Sequence, residues 1–264
     1  MGSVLITGAS SGIGLTTATH LAKLGWQVFG TSRKPRKDEA GVHFVVMDVC
    51  DEASVRKGVE EVLAQAGQLD AVVCNAGMGI YGAVEDVSIE DAQAQFETNF
   101  FGVLRVLRCV LPPLRKRRQG RILLVGSLSG RAPIPFQAHY SASKAAIDAL
   151  SGALRNELVA FGVAVSLIEP GDIDTPFNDA MRWETSPEAS AYREQLDRAE
   201  GAIRDSLPKA PPATDVARCI ARALTVRRPR ARYTVGDSAW LVPFARRVLP
   251  DRVSLDLIRR HFRL

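Results

Sequence analysis

The sequence has little of several features that mark other classes of protein. Its 264 residues include only four cysteines: Cys50, Cys74, Cys109 and Cys219. They form no Cys-x-x-Cys pair and no cluster with histidine, so we interpret them as reduced thiols and expect neither disulfides nor a metal site. No apolar run approaches the ~18 residues of a membrane span, and no basic leader precedes the first apolar segment. We therefore expect a cytoplasmic protein without a transmembrane segment.

The charge balance is basic, with a net charge of +5 and an isoelectric point of about 9.2. Its clearest basic run is Arg115-Lys116-Arg117-Arg118. Such a run could bind an anionic partner, but cations also favour the carboxyl end of a helix. We prefer the second interpretation and expect no nucleic-acid partner, because no nucleic-acid-binding motif accompanies the run.

Apolar segments alternate with amphipathic segments along most of the chain. The predicted strands cover residues 2–7, 26–31, 42–47, 69–74, 121–126, 163–168 and 231–235, and the predicted helices cover 12–24, 51–65, 89–117, 138–160 and 213–226. Parallel strands need crossover connections, so this alternation predicts an α/β fold with a doubly wound parallel sheet and helices on both faces. We expect a single domain over residues 1–264. Ligands of such sheets lie outside the carboxyl ends of the strands.

Two segments depart from the alternation. Residues 172–212 contain five prolines and form a long insertion, which we predict to be a lid over the substrate. Residues 238–264 form a C-terminal tail in which apolar residues are interspersed with arginines. The tail could pack on the domain, cap the pocket or rest on a membrane surface; we prefer packing.

The first predicted strand runs into a glycine-rich turn that opens a helix. The turn reads Thr7-Gly8-Ala9-Ser10-Ser11-Gly12-Ile13-Gly14. Its glycines allow close backbone approach, and the helix amino end offers N–H groups and a positive dipole end to a pyrophosphate. The spacing TGxxxGxG resembles that of the short-chain dehydrogenase/reductase family, whose members have a Rossmann-type fold. The resemblance covers roughly residues 3–175.

The end of the second predicted strand bears on the choice of nicotinamide cofactor. A carboxylate there would bind the ribose hydroxyls of NAD and repel a 2′-phosphate. The strand instead ends in Ser32 and Arg33, and no carboxylate follows until Asp38. Because a guanidinium group suits a phosphate, we predict NADP(H), with Arg33 on the 2′-phosphate and Ser32 assisting.

Three further strand ends resemble motifs of the same family. The resemblance implies that Asp48-Val49 contacts the adenine, although Asp48 could instead cap the next helix. It also implies that Asn75-Ala76-Gly77 lines the adenosine side of the cofactor. Backbone groups of Pro170-Gly171, with Ile173 and Thr175, would meet the nicotinamide carboxamide.

Tyr140 and Lys144 lie four residues apart on a predicted helix and therefore share a face. Together with Ser127 and Asn99, they match the Asn, Ser, Tyr and Lys tetrad of the family. The resemblance implies that Tyr140 is the general acid/base and that Lys144 binds the nicotinamide ribose and lowers the pKa of Tyr140. It further implies that Ser127 holds the substrate oxygen and that Asn99 supports the helix and a water-linked proton path. We expect the ammonium group and an oxidised nicotinamide to lower the tyrosine pKa by about two or three units.

The predicted function is NADP(H)-dependent interconversion of an alcohol and a carbonyl. The expected wall residues are mostly apolar and favour a bulky lipophilic alcohol or ketone, although ordinary loop packing explains them nearly as well: Met78, Ile80, Tyr81, Leu128, Pro133, Phe136, His139, Phe177, Met181 and Trp183. The tail also resembles those of steroid and retinol dehydrogenases, which favours a steroid-like or retinoid-like substrate.

Two other functions compete with this one. The first is a non-catalytic NADP-binding regulator on the same fold, which would tolerate the loss of Tyr140 or Lys144. The second is a sugar epimerase or dehydratase of the extended branch of the family, whose TGxxGxxG loop Gly8, Gly12 and Gly14 do not match. Association of family relatives through helices leads us to expect a homo-oligomer.

Overall fold

The computed structural model describes residues 2–177, 181–183, 190–236 and 239–264. Its central sheet has seven strands in the order β3-β2-β1-β4-β6-β7-β9, and every neighbouring pair is parallel. These strands are β1 (Ser3–Ile6), β2 (Gln27–Ser32), β3 (Val42–Val46), β4 (Ala71–Cys74), β6 (Gly120–Val125), β7 (Val163–Pro170) and β9 (Arg232–Val235). The predicted doubly wound parallel sheet is confirmed.

The central strands form because their apolar runs can be buried on both faces. All four residues of β1 and all four of β4 are buried. Strands of a parallel sheet covered on both sides read as continuous apolar runs, as these do. The sequence therefore located each of the seven strands to within about two residues of its observed ends.

Helices cover both faces of this sheet. The α-helices of the described residues are α1 (Gly12–Lys23), α2 (Glu52–Ala66), α3 (Ile89–Phe96), α4 (Gly102–Arg117), α5 (Ala138–Leu158), α6 (Arg193–Ser206), α7 (Ala213–Thr225), α8 (Leu241–Val248) and α9 (Asp251–His261). One core joins α2, α4 and α5 to the sheet, and a second core joins α1 and α7 to it. Burial of apolar side chains on both faces provides most of the driving force for this arrangement.

The predicted helix over residues 89–117 is interrupted by a π-helical turn at Glu97–Phe101, between α3 and α4. A π turn accommodates one extra residue in an α-helix and is frequent at functional sites. Asn99 lies inside this turn and is 2% exposed. The interruption therefore falls at one of the predicted site residues.

The two segments outside the alternation contain more regular structure than the sequence indicated. The proposed lid, residues 172–212, includes the helix α6, and the tail, residues 238–264, folds into α8 and α9. A two-stranded parallel sheet pairs β5 (Ile80–Tyr81) with β8 (Arg182–Trp183). Lid residues 178–180 and 184–189 and tail residue 238 lie outside the described residues.

The basic run closes α4 and holds neighbouring segments. Arg117 donates to the Leu69 carbonyl and pairs with Asp70 at 2.7 Å, and Arg118 donates to the Ala160 carbonyl at 2.8 Å. These contacts give the run a structural role at a helix end. No described helix is both long enough and apolar enough to cross a bilayer.

Candidate active site

A cleft with a volume of about 570 Å³ opens at the carboxyl ends of β1, β2, β3, β4, β6 and β7. Nearly all the predicted site residues line it: Gly8, Ser10, Ser11, Gly12, Ile13, Ser32, Arg33, Asp48, Val49, Asn75, Ala76, Gly77, Ser127, Tyr140, Lys144, Pro170, Gly171, Ile173 and Thr175. Gly14 and Asn99 lie behind the cleft wall. The fold thus gathers one continuous site from the ends of six strands.

The glycine-rich turn has the backbone shape that a phosphate cradle needs. Gly8 and Gly12 have φ values of +63° and +53°, which side chains disfavour. A Cβ on Gly8 would lie 2.8 Å from the Cα of Ala76, and a Cβ on Gly14 would collide with the Gly8 carbonyl oxygen. The turn can therefore present its backbone and the amino end of α1 to an anion without steric obstruction, which fits a dinucleotide pyrophosphate.

Thr7 and Asn75 fix the position of this turn. The Thr7 hydroxyl oxygen accepts the backbone N–H groups of Asn75 and Ala76 at 3.0 and 3.1 Å. The Asn75 side-chain amide donates to the carbonyls of Thr7 and Gly8, both at 3.0 Å. Asn75 lines the cleft as expected, while its amide group holds β1 and β4 in register. The sequence did not indicate that the Thr7 hydroxyl fixes the position of the turn.

The end of β2 places cations at the side of the cleft where the sequence predicts the adenosine. Ser32 and the exposed Arg33 line the cleft there. Arg36, which the sequence analysis missed, donates to the Ser10 carbonyl at 2.6 Å and lies over the Phe44 ring, 4.8 Å from its centroid. Its guanidinium thus joins the β2 turn to the glycine-rich turn.

Two interpretations of Asp48 were open, and the structure separates them. Asp51 caps α2, because its carboxylate accepts the N–H groups of Ala53 and Ser54. Asp48 instead accepts the Cys50 N–H at 2.9 Å and lines the cleft. The helix-cap interpretation is therefore wrong for Asp48, and its carboxylate lies at the predicted ligand site.

Ser127, Tyr140 and Lys144 meet at the centre of the cleft. Ser127 and Tyr140 both line the cleft, and the Ser127 hydroxyl accepts the Ser129 N–H at 3.1 Å. Lys144 follows Tyr140 by one helical turn, with its ammonium group 5.6 Å from the Tyr140 ring centroid. That ammonium group donates to the Val125 carbonyl at 3.0 Å.

Burial sets the ionisation of these groups in the ligand-free protein. It raises the pKa of Tyr140 to about 12, against the opposite effect of the Ser127 hydrogen bond. It lowers the pKa of Lys144 from 10.5 to about 8. The sequence led us to expect a lowered pKa for Tyr140. The chain alone does not lower this pKa, because the loss of water disfavours the phenolate more than neighbouring groups stabilise it. A lowering that needs the cofactor charge stays a prediction.

Asn99 connects the π-helical turn to the cleft wall. Its side-chain amide donates to the Met78 carbonyl and the Ser143 hydroxyl, both at 3.0 Å, and its oxygen accepts the Met78 N–H at 2.8 Å. A Cβ on Gly77 would lie 3.3 Å from that oxygen and 3.7 Å from the Lys144 nitrogen. Asn99 therefore holds the strand end beside Lys144, one layer behind the cleft surface.

A buried ion network supports the same region from behind. The Glu169 carboxylate, 2% exposed, pairs with Arg131 at 2.8 Å and with Arg232 at 3.4 Å, and Arg232 also pairs with Asp148. Burial raises the pKa of Glu169, while the two guanidinium groups oppose that shift. The network ties the turn after Ser127, the helix α5 and the strand β7 together.

The substrate end of the cleft is apolar. Met78, Phe177 and Met181 line it as predicted, and Phe177 packs on Tyr140 with ring centroids 5.8 Å apart. The sequence analysis missed other wall residues, among them Gly79, Ile134, Gln137, Pro176, Ile203 and Phe262. Six other residues expected there lie outside the wall: Ile80, Tyr81, Leu128, Pro133, Phe136 and His139. The side chain of Trp183 lies outside the described residues.

Tyr81 and Phe136 are instead part of a separate apolar cluster with α6 and the end of the tail. This cluster buries Phe262, which reaches the cleft from the far end of the chain. Among the described residues, no three histidine, cysteine, aspartate or glutamate side chains are grouped so that they could hold a metal ion.

Comparison with known proteins identifies the family. Residues 3–185 match the family model described as short chain dehydrogenase. The chain belongs to the short-chain dehydrogenase family.

Curated relatives of this short-chain dehydrogenase differ in their names. It is 46% identical to 3-ketodihydrosphingosine reductase of Bacteroides thetaiotaomicron over 176 residues, which are 67% of this chain and 65% of that relative. It is 36% identical to the uncharacterized oxidoreductase YbbO of Escherichia coli, over 97% of this chain and 94% of that one. It is 33% identical to retinol dehydrogenase 8 of Bos taurus, over 87% and 80% of the two chains.

Solved structures agree with the fold and hold nicotinamide cofactors. A short chain dehydrogenase/reductase from Burkholderia phymatum in complex with NAD superposes with a TM-score of 0.81 at 26% identity, covering 97% of this chain and 95% of that one. A closed form of serine dehydrogenase complexed with NADP+ gives a TM-score of 0.77 at 25% identity, covering 89% and 94%. Both support a nicotinamide cofactor for the family, and they differ in which one is bound.

Proposed function

We propose that this short-chain dehydrogenase uses NADP(H) to interconvert an alcohol and a carbonyl, on a bulky lipophilic substrate. The observation that carries the proposal is that Ser127, Tyr140 and Lys144 line one cleft that begins at the glycine-rich turn, with the Lys144 ammonium group 5.6 Å from the Tyr140 ring centroid. A proton donor, an oxygen-binding hydroxyl and a cation converge there on one point.

When bound, a nicotinamide supplies the hydride for carbonyl reduction or accepts it in the reverse direction. In reduction, Tyr140 donates its phenol proton to the substrate oxygen, and Ser127 donates a hydrogen bond that holds this oxygen in place. Lys144 binds the ribose hydroxyls and stabilises the resulting phenolate through its charge. Asn99 keeps the adjacent strand end and Lys144 in register through its contacts with Met78.

Cofactor preference follows from the cations at the end of β2. Arg33 is exposed at the rim of the cleft, where a 2′-phosphate would gain a bidentate partner. No carboxylate lies between Ser32 and Asp38 in sequence, and Asp38 is engaged with His43 and the Phe44 N–H. A carboxylate that would repel the phosphate is therefore not presented by this turn.

Substrate class follows from the apolar end of the cleft. Tyr140 faces a wall that includes Met78, Phe177, Met181 and Phe262, and such a wall favours long or polycyclic carbonyl compounds over small polar ones. The names of two relatives, a 3-ketodihydrosphingosine reductase and a retinol dehydrogenase, each refer to a lipophilic substrate. We therefore propose long-chain or isoprenoid-like ketones, aldehydes and alcohols, with steroid-like compounds as a further class.

The cofactor is tested by comparing kcat/KM for NADPH and NADH in wild type and in the Arg33→Asp variant. We expect wild type to prefer NADPH and the variant to lose at least tenfold of that preference, because one charge-assisted contact is worth about 1.5–3 kcal/mol. Lys34→Asp is the matched control, since Lys34 is an exposed neighbour outside the cleft wall. Equal preference in wild type and Arg33→Asp contradicts the assignment.

The chemistry is tested by Tyr140→Phe. This variant should bind NADPH with nearly unchanged affinity, measured by fluorescence titration, and should show no turnover with a panel of 3-keto sphingoid bases, retinal and steroid ketones. Wild type should turn over at least one class. A Tyr140→Phe variant that retains turnover contradicts the proton-transfer role, and a wild type that binds NADPH but reduces no carbonyl compound favours the regulator. A cytoplasmic location and a homo-oligomeric state remain predictions.

A further inference from the structure

The outer side of α8 presents an apolar surface to solvent. We define the tail ridge as Trp240, Leu241, Phe244 and Val248, which are 63%, 44%, 57% and 61% exposed. At 100° per residue, the four positions span an arc of about 100° of the helix surface, so they form one stripe. The Trp240 and Phe244 rings lie 6.3 Å apart between centroids. Clustered exposed aromatic side chains of this kind mark an interaction surface.

Two exposed cations accompany the ridge: Arg247 borders the stripe on α8, and Arg252 lies on the first turn of α9. Arg247 and Arg252 are exposed, and neither has a carboxylate partner in the part of the chain that the structure describes. Arg246, on the side of α8 away from the ridge, is instead paired with Asp251 at 3.2 Å. Apolar side chains bordered by free arginines match the charge and polarity of an anionic bilayer surface.

The inner side of the same tail belongs to the candidate active site. Phe262, at the end of α9, is 8% exposed and lines the apolar end of the cleft, and Ile258 packs in the same cluster. One short segment therefore carries the ridge on α8 and contributes Phe262, after α9, to the cleft wall.

We propose that the tail ridge docks on the surface of an anionic lipid bilayer and that the enzyme takes its substrate from that bilayer. The second clause rests on the proposed function, and the first does not. A second copy of the chain is a weaker occupant, because a two-fold interface centred on this ridge would bring the arginines of both copies together at its edge. Phosphate headgroups would neutralise the same arginines.

Docking is tested by co-sedimentation of the full chain with vesicles of phosphatidylcholine alone and with 30% phosphatidylglycerol added. We expect binding to the anionic vesicles and little to the neutral ones. Arg247→Gln and Arg252→Gln should each weaken binding about fivefold, because cations near a charged leaflet contribute about equally to the free energy of binding. The pair of substitutions should weaken binding about thirtyfold. The double variant Trp240→Ser/Phe244→Ser should weaken it at least tenfold.

The matched control is Ile89→Ser, which removes an apolar side chain that is 68% exposed on α3, away from the tail. It should leave vesicle binding unchanged. Thermal unfolding of every variant checks that the fold is intact. The proposal is overturned if wild type and Trp240→Ser/Phe244→Ser bind vesicles equally. It is also overturned if Ile89→Ser loses as much vesicle binding as Trp240→Ser/Phe244→Ser does.

Light scattering after size exclusion separates a bilayer from a second copy. If the ridge covers a dimer interface, Trp240→Ser/Phe244→Ser converts a dimer to a monomer and wild type fails to bind vesicles, and the proposal is wrong. Vesicle binding requires neither cofactor nor turnover, so its outcome is independent of the proposed reaction. A wild type that binds vesicles but reduces no carbonyl compound leaves the docking intact and refutes the proposed function alone.

Discussion

Replacing Lys144 by methionine should stabilise the ligand-free protein at neutral pH while abolishing turnover. Burial lowers the pKa of Lys144 from 10.5 to about 8, so keeping the ammonium group charged in the folded chain costs about 3 kcal/mol. Methionine fills a similar volume without this cost. It leaves the Val125 carbonyl without its donor, a loss of about 1 kcal/mol. The free energy of unfolding at pH 7 should therefore rise by about 2 kcal/mol.

The dependence on pH distinguishes this explanation from a general packing effect. Between pH 8 and 10.5 the unfolded chain keeps the lysine proton and the folded chain releases it, so the stability of wild type rises with pH in this window. Below pH 8 both states hold the proton and the full cost is present. The variant lacks this titration. Its advantage should shrink from pH 8 upward and reverse, by about 1 kcal/mol, near pH 10.5.

Urea unfolding of both proteins at pH 7, 9 and 10.5 measures the difference. Thiols and the other tyrosines titrate equally in the two proteins, so the difference between their free energies of unfolding isolates Lys144. Lys116→Met is the control, because Lys116 is exposed on the last turn of α4 and its replacement should shift stability little at any pH. A Lys144→Met effect that is independent of pH refutes the reasoning.

Three further changes test the supports of the cleft. Gly14→Ala should lower the free energy of unfolding by at least 2 kcal/mol and weaken NADPH binding, because the Cβ of the alanine would collide with the Gly8 carbonyl. Calorimetry and NADPH titration measure the two effects, and unchanged values contradict the prediction. Thr7→Val should cost about 2–5 kcal/mol in urea unfolding, since two backbone N–H groups lose their acceptor, whereas Thr7→Ser should cost much less. Glu169→Gln should cost about 3 kcal/mol, as Arg131 and Arg232 lose a buried counter-charge, and an effect below 1 kcal/mol would show that the network contributes little.

The sheet and most of the site were accessible to prediction because their signals are local. An apolar run covered on both faces identifies a strand without reference to the rest of the chain, and the carboxyl end of each parallel strand falls at the same edge. Gly8, Asn75 and Ser127 lie within two residues of the end of a strand, and Pro170 is the last residue of one. Their convergence in one cleft therefore needed only the fold class.

The remaining features depend on contacts between distant segments. Phe262 reaches the cleft from α9, and Arg36 reaches Ser10 across the β2 turn, and no periodicity or spacing indicates either contact. The helix α6 had a usable signal in the spacing of Leu196, Ala199 and Ile203, which the surrounding prolines obscured. The pKa of Tyr140 depends on the depth of burial, which a sequence does not give.

The π-helical turn at Glu97–Phe101 has a consequence for the two helices on either side of it. One additional residue rotates everything that follows by about 100° around the common axis. α4 therefore directs its apolar stripe at the sheet, while the turn itself directs Asn99 at Met78 in the cleft wall. Deleting a single residue there would restore an ordinary helix but would rotate Asn99 relative to the apolar stripe of α4. The enzyme could then keep the packing of α4 on the sheet or the contact of Asn99 with Met78, but not both.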